Sequence, residues 1–233
     1  MAIGELTPER LFDPYTFKTG PYSSHTLLLR TLPSEGGGRR VLDVGCAGGF
    51  LSGALAQRGY EVTGIDLPGP RPPNFPAGVE RLERDLEDGL PPLSRRFSYV
   101  LCADVLEHVR RPDRLLRDLA AVLDTGGILV ASLPNSGHAF FRLNVLLGRF
   151  PSEDRGLFDR THLHFYMWKG WVDLFASAGF HIDAVQPTGV PVALAIPRWE
   201  TSAMVRAMEW LSYVLARLWK ELFAYQFVVT ARR

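Results

Sequence analysis

The sequence contains few cysteines and no long apolar run, and each shortage excludes a class of protein. Cys46 and Cys102 are the only thiols in 233 residues, which is typical of chains that fold without disulfides in a reducing compartment. We therefore expect a cytoplasmic location, with both thiols reduced and half-buried. An uncharged apolar run of about 18 residues, long enough to cross a membrane, does not occur. Residues 1–14 also lack the basic and apolar stretches of a signal peptide.

The charge of the chain is balanced, and its positive part is almost entirely arginine. Lys18, Lys169 and Lys220 are the only lysines, and 26 basic residues face 25 acidic ones. A balance this close to neutral gives no basic surface for a polyanion, so we expect no nucleic-acid partner. Hydrophobic residues make up 46% of the chain, which is enough for one soluble domain, or for one attached at most to a membrane surface.

Apolar runs typical of strands alternate with segments of helical periodicity. The runs cover 41–44, 61–66, 97–104 and 128–133, and helical segments cover 50–58 and 115–123. We expect Gly126 and Gly127 to end the second helix. The alternation predicts an α/β fold with a Rossmann-like, doubly wound and mostly parallel sheet. Because the carboxyl ends of parallel strands share one edge, we expect the acids that end these strands to face one crevice.

The stretch VLDVGCAGG at 41–49 predicts a buried strand that runs into a glycine-rich turn. Glycine has no Cβ, so the backbone of such a turn can approach a ligand closely. A dinucleotide-binding turn needs glycine at 45, 47 and 50, but the chain has Ala47 and Phe50 there. The turn therefore favours a smaller nucleoside cofactor over a dinucleotide, and a tight turn without a ligand is the remaining alternative.

Three motifs carry a resemblance to a known family. The loop D-x-G-x-x-G-G, which begins at Asp43, resembles the D-x-G-x-G-x-G loop of class I S-adenosylmethionine-dependent methyltransferases. CADVLEHV at 102–109, followed by DTGGILVASLPN, looks like the corresponding region of the ubiquinone-type and related small-molecule methyltransferases. DRTHLHF at 159–165 is similar to their D-x-T-H-x-x-F segment. The resemblance is strongest over residues 39–135.

The chain departs from the family pattern at a few positions, namely Ala47 in the loop, Ser98 in place of an aspartate and Thr125 in place of a proline. The resemblance implies a seven-stranded sheet with an antiparallel last strand and helical lid elements. It also implies S-adenosyl-L-methionine as methyl donor, S-adenosyl-L-homocysteine as product, and a small-molecule, lipid-linked or glycan-linked acceptor, with oxygen favoured. The alternative is a non-catalytic binding or partner subunit with the same fold, against which the intact loop weighs.

The resemblance also implies a set of cofactor-binding residues. Asp66 ends the second strand, where its two carboxylate oxygens suit two ribose hydroxyls, and Asp85 with Leu86 suits the amine and ring of adenine. Without the resemblance, Asp66 is equally consistent with an exposed acid at the end of a strand, and Asp85 with a solvated loop residue. The full set is Asp43, Gly45, Cys46, Ala47, Gly49, Asp66, Leu67, Asp85, Leu86 and Ala103.

Two histidines are candidate catalytic bases, because a hydroxyl acceptor must lose a proton and imidazole titrates near neutral pH. His162, in the segment expected to cover the pocket, is the preferred base. His108 is the second candidate, although we favour a structural role for it. His162 and His164 with Asp159 could also ligate a metal, but a dedicated further ligand is not evident, so we predict no metal.

Three segments are distinguished within the single predicted domain, and the first two are expected to shape the acceptor pocket. They are an N-terminal cover (1–38, with Tyr15, Phe17, Tyr22 and His25), a lid and acceptor segment (136–167) and an amphipathic helix insertion (198–223). In the insertion, apolar positions from Met204 to Leu222 alternate by four and three. We favour a cover packed on its own domain. A homodimer contact or an in-plane membrane anchor through 204–222 remains open.

Overall fold

The computed structural model describes Lys18, residues 20–195 and residues 202–233; Tyr15, Phe17 and the start of the predicted insertion lie outside these residues. Seven strands form one sheet: β1 Arg40–Val44, β2 Glu61–Asp66, β3 Glu80–Glu83, β4 Phe97–Ala103, β5 Leu123–Pro134, β6 His181–Pro187 and β7 Gln226–Arg232. Their order is β3-β2-β1-β4-β5-β7-β6. Neighbours pair in parallel from β3 to β5, and β7 runs antiparallel to both β5 and β6. The predicted fold is confirmed.

Helices cover both faces of the sheet. They are α1 Ser24–Thr31, α2 Phe50–Gln57, α3 Pro112–Val122, α4 Ala139–Leu146, α5 Trp168–Ser177, α6 Val192–Ala195, α7 Ala203–Leu218 and α8 Lys220–Phe223, with a short 3-10 turn at Leu86–Asp88. Successive strand residues point to opposite faces, so Val41 packs with α1 and α2 while Leu42 packs with α3 and α5. The two resulting cores hold the central strands rigid, which fixes the loops at their carboxyl ends.

Two details differ from the expectations. Helix α3 ends at Val122 and β5 begins at the next residue, so the prediction that Gly126 and Gly127 end the helix is wrong. Gly126 has a φ of 76° and lies within β5 instead, where the register with β4 shifts between Leu123 and Ile128. The thiols of Cys46 and Cys102 are free but fully buried, not half-buried. Burial raises the pKa of both thiols, so neither is reactive at neutral pH.

Helix α7, the main part of the predicted insertion, packs on its own domain through Val205, Glu209 and Ala216. The stripe with four-and-three spacing lies on another face: Met204 is 58% exposed and Leu218 is 79% exposed. The helix therefore covers the domain with a face that the spacing alone did not indicate. Among the described residues, no helix has both the length and the apolar character needed to span a membrane.

Candidate active site

The turn after β1 is built from residues with positive φ angles. Gly45, Ala47 and Gly49 have φ values of 72°, 44° and 75°. Glycine adopts such angles freely, whereas in alanine they are unfavourable, and strain of this kind is found at binding turns. A Cβ at Gly45 would lie 2.5 Å from Cγ2 of Val105, and a Cβ at Gly49 would lie 2.6 Å from Cδ of Pro76. Glycine is therefore required at Gly45 and Gly49 for two reasons, the positive φ angle and the lack of space for a Cβ.

Asp66, the predicted ribose ligand, ends β2 beside this turn. Its Oδ2 accepts a hydrogen bond of 2.5 Å from the backbone N–H of Ala47, and its Oδ1 accepts one of 2.8 Å from the N–H of Leu67. The N–H of Gly45 donates to the carbonyl of Ile65, which ties the turn to β2. The structure thus brings the predicted ribose ligand and the predicted glycine turn together at one edge of the sheet.

Asp43 and Cys46, also predicted to contact the cofactor, are buried beneath the turn. Oδ2 of Asp43 accepts a hydrogen bond of 2.5 Å from Oγ of Ser52 in α2. The thiol of Cys46 packs on the backbone of Gly64, where a Cβ would lie 2.7 Å from the sulfur. Burial raises the pKa of Asp43 to about 6. Both side chains therefore support the turn from inside the domain.

Replacing Asp43 by asparagine should change how the stability of the fold depends on pH. A carboxyl group with a raised pKa in the folded chain stabilises the fold below its unfolded pKa, and this contribution is lost as the pH rises through the folded value. For Asp43 that window runs from 3.8 to about 6. Urea denaturation at several pH values should show the free energy of unfolding of the wild type falling, relative to Asp43→Asn, across this window. A difference in the free energy of unfolding that stays constant with pH would contradict the raised pKa of Asp43.

Asp85 and Leu86 follow β3, and Ala103 ends β4, at the same edge of the sheet. Oδ1 of Asp85 accepts a hydrogen bond of 2.9 Å from the N–H of Glu87, so this oxygen caps the 3-10 turn, and Leu86 packs partly against the core. Ala103 is the last residue of β4, and Val105 just beyond it touches the glycine turn. The predicted adenine ligands thus begin a short turn after β3, and Ala103 lies next to the glycines.

The two candidate bases lie side by side, with ring centres of His108 and His162 4.8 Å apart. His108 is braced by Thr161, whose Oγ1 lies 3.0 Å from Nδ1; because this hydroxyl already donates to Asp159, the histidine is the donor. Burial, and then the charge of His108, lowers the pKa of His162 to about 4. The ring of His162 is therefore neutral at pH 7 and able to accept a proton.

Glu107, which was not selected from the sequence, is buried beside these histidines. Its Oε1 lies 4.0 Å from Nε2 of His162, and its Oε2 has no hydrogen-bond partner within the part of the chain that the structure describes. Burial raises the pKa of Glu107 well above its ordinary value. Ligand atoms of Glu107, His108 and His162 lie within 4.8 Å of one another and could hold a metal ion.

His164 does not join this cluster. Its Nε2 donates to the carbonyl of Val109 at 3.0 Å, and its ring stacks on Tyr166. The metal ligands considered from the sequence, Asp159, His162 and His164, are therefore not assembled in the described chain. Position within the DRTHLHF motif could not separate a histidine that packs from one that faces the site.

The segment 136–167, predicted as a lid, carries an aromatic surface next to His162. Phe141 stacks on Phe158 with ring centres 4.5 Å apart, and Phe150 packs edge-on against both Phe158 and Phe165. The ring of Phe165 lies 6.0 Å from that of His162. Because Phe150 is 59% exposed, the surface is open to an apolar ligand that approaches the candidate base.

Three further side chains that the sequence did not indicate converge on Asp104, the residue after β4. Lys18 donates from the N-terminal segment, Ser132 from β5 and Gln226 from β7. The nearest of them is 28 residues away in the chain, so no motif spacing links them. The sheet order brings Ser132 and Gln226 beside Asp104, and the N-terminal segment adds Lys18.

Most of the chain is similar to a known family of proteins. A family model described as a methyltransferase domain matches residues 19–185, which span the sheet edge, the glycine turn and both histidines. The chain belongs to this methyltransferase family. The resemblance indicated by the sequence motifs is thereby confirmed.

Individual proteins are similar to this chain over only part of its length or only in fold. The ubiquinone biosynthesis O-methyltransferase of Coxiella burnetii is 32% identical over 138 residues, which cover 57% of this chain and 55% of that protein. The chain thus spans about half the length of the curated relatives it matches. An S-adenosylmethionine-dependent methyltransferase from Mesorhizobium loti shares the fold, with a TM-score of 0.61, 20% identity and coverage of 91% and 98% of the two chains. Magnesium protoporphyrin IX methyltransferase from Synechocystis, solved with bound S-adenosylhomocysteine, has a TM-score of 0.57, 19% identity and coverage of 90% and 80%.

Proposed function

We propose that the protein transfers a methyl group from S-adenosyl-L-methionine to an oxygen atom of a small-molecule, lipid-linked or glycan-linked acceptor. The observation that carries the proposal is the carboxylate of Asp66 beside the positive-φ turn of Gly45, Ala47 and Gly49. Two carboxylate oxygens match the two hydroxyls of one ribose. Phe50 occupies the third glycine position of a dinucleotide turn, which favours a single nucleoside.

The residues at this edge fit the cofactor part by part. Asp66 and Leu67 are proposed to contact the ribose, and Asp85 and Leu86 the adenine. The glycine turn would lie along the methionine part, where a Cβ at Gly45 would already clash with Val105. When bound, S-adenosyl-L-methionine supplies a methyl group activated by its sulfonium charge, so the protein has only to hold the reactants aligned and manage the acceptor proton.

His162 is proposed to take that proton. Its ring is neutral at pH 7, because burial lowers its pKa to about 4. Oε1 of Glu107 lies 4.0 Å from Nε2; because burial raises the pKa of this carboxyl, it is proposed as a neutral neighbour of the ring and not as a counter-charge. His108 is held by Thr161 and is proposed to orient the ring of His162. His108 is proposed as the base only if His162 proves not to be required.

The surroundings of His162 support an apolar acceptor. Phe165 lies beside the base and Phe150 packs edge-on against Phe165, and apolar surface of this kind binds hydrophobic ligands. The relatives are named O-methyltransferases of ubiquinone biosynthesis, which supports oxygen as the acceptor atom.

Further partners are proposed only for the segment 204–222. The exposed stripe that includes Met204, Leu211 and Leu218 could contact a second copy of the chain or a membrane surface. A cytoplasmic location remains the proposal that follows from two free thiols.

Calorimetric titration separates a nucleoside site from a dinucleotide site. We expect S-adenosylhomocysteine to bind more tightly than NAD, because Ala47 and Phe50 replace two glycines of a pyrophosphate turn. Tighter binding of NAD would contradict the assignment of the cofactor.

The alternative function is a binding or partner subunit that keeps the fold without catalysis. It predicts cofactor binding without turnover, whereas the proposed function predicts transfer of a labelled methyl group to at least one hydroxyl compound of an acceptor panel. Phenolic and lipid-linked acceptors belong in that panel, because the surface around Phe150 and Phe165 is apolar.

A further inference from the structure

An ion pair between Lys18 and Asp104 lies at the carboxyl edge of β4. Nζ of Lys18 is 2.6 Å from Oδ2 of Asp104, and each side chain is only 21% exposed. Asp104 stands between Ala103 and Val105, and Val105 touches the position of Gly45. The pair therefore borders the turn that is proposed to hold the methionine part of the cofactor.

Asp104 is held in an unfavourable backbone conformation. Its φ is 54°, which costs free energy in a residue other than glycine. Ser132 Oγ and Gln226 Nε2 donate to Oδ1 at 2.5 and 2.8 Å, while Lys18 donates to Oδ2. Burial raises the pKa of Asp104, but the charge of Lys18, the electrostatic effect of His25 and the hydrogen bonds from Lys18 and Ser132 outweigh burial and hold the pKa below its ordinary value. The carboxylate is therefore ionised at neutral pH.

Each of the three N–H groups of the Lys18 ammonium has a hydrogen-bond acceptor. Besides Asp104 it contacts Oγ of Ser24 and Oε1 of Gln226, both at 3.3 Å, and three acceptors match its three hydrogens. Its backbone N–H donates to Nδ1 of His25 at 3.1 Å. Burial, and then the charge of Lys18, lowers the pKa of His25 to about 4, so this ring is neutral. Among the described residues of this arrangement, the ammonium of Lys18 and the carboxylate of Asp104 carry opposite charges, which cancel.

We propose that Lys18 is a positioning residue that acts through Asp104. It fixes the carboxylate of Asp104 and cancels its charge, so that this charge does not make the pocket bind the cationic methyl donor more tightly than the neutral product. The inference rests on the proposed function. At neutral pH S-adenosylmethionine carries one net positive charge and S-adenosylhomocysteine carries none. The two ligands share the methionine ammonium and carboxylate and differ by the sulfonium charge, so an unpaired Asp104 would favour the donor over the product and an unpaired Lys18 would disfavour it.

The test compares the affinities of the two nucleosides, measured by calorimetry without acceptor so that no turnover occurs. The quantity of interest is the Kd of S-adenosylhomocysteine divided by the Kd of S-adenosylmethionine. We expect Lys18→Met to raise this ratio about tenfold and Asp104→Asn to lower it about tenfold, the order of an interaction between partly buried unit charges that are not in contact. The double variant should return to within a few-fold of the wild type, and Lys18→Arg, which keeps the charge, should match the wild type.

A purely structural role would weaken both nucleosides by the same factor and leave the ratio unchanged, and this result in either charge variant overturns the proposal. Circular dichroism checks the fold. Lys18→Gln replaces Lys18→Met if the latter does not fold, and Asp104→Asn tests the same prediction with the opposite sign. A wild-type protein that binds neither nucleoside contradicts the proposed function itself. A wild type that binds both, with an unchanged ratio in the variants, contradicts only the role of the ion pair.

Discussion

Asp66→Ala is expected to bind S-adenosylhomocysteine more weakly than the wild type by about 1.5 to 3 kcal/mol, the range for hydrogen bonds to a charged group. This corresponds to roughly 10- to 150-fold in Kd. The carboxylate offers two oxygens at the mouth of the site, and Oδ2 also holds the N–H of Ala47. The substitution therefore removes the ribose contacts and loosens the turn, without affecting the buried core. Calorimetry with S-adenosylhomocysteine gives the measurement.

Glu61→Ala is the matched control, because Glu61 begins the same strand that Asp66 ends and therefore lies at the opposite edge of the sheet. Its ion pair with Arg95 is exposed on both sides, so its loss should change stability and cofactor affinity little. If Asp66→Ala binds S-adenosylhomocysteine as tightly as Glu61→Ala does, Asp66 is only a solvated acid at the end of a strand.

His162→Ala is expected to lower turnover by roughly 10² to 10⁴, the usual contribution of a general base, while the affinity for the cofactor is retained. The loss should shrink at high pH, where more of the acceptor hydroxyl is already ionised. In the wild type, protonation of His162 should lower kcat/KM as the pH falls towards about 4, the pKa of the buried ring, and this acidic limb should disappear in the variant. Rates measured across the pH range test both statements.

His164→Ala controls for the effect of disturbing the segment itself. His164 lies two residues further along and contacts the carbonyl of Val109 and the ring of Tyr166. Equal losses in the two variants, with a pH profile of unchanged shape, would show that the segment only positions the acceptor. Turnover of His162→Ala within a few-fold of the wild type at saturating acceptor would remove His162 from the mechanism, and His108 would be tested next.

The fold could be predicted from local patterns because each strand and turn carries its own signal. The run at 61–66 and the helix that follows the glycine turn needed only periodicity and a turn, whereas the antiparallel last strand was implied only by the resemblance to the methyltransferase family. The end of α3 at Val122 could not be predicted in this way. The strand pairing that begins at Leu123 overrides the helical periodicity of the same residues, and that pairing is a tertiary contact.

The site could be predicted only where its residues lie next to a motif. Asp66 follows a strand end and Gly45 begins a turn, so both could be placed from spacing. Lys18, Ser132 and Gln226 could not, since they reach Asp104 from three distant parts of the chain. The burial of Glu107 could not be predicted from the sequence either, because burial depends on how the segment at 159–165 folds over the end of β4.

A crystal structure of the protein with S-adenosylhomocysteine tests the central claim most directly. We expect the ribose hydroxyls within hydrogen-bonding distance of both oxygens of Asp66, and the methionine part along the turn of Gly45 and Gly49 beside Ala103. The hydrogen bond between Asp66 and the N–H of Ala47 should lengthen or be replaced. A nucleoside bound elsewhere, or one at this edge without a contact to Asp66, would contradict the account.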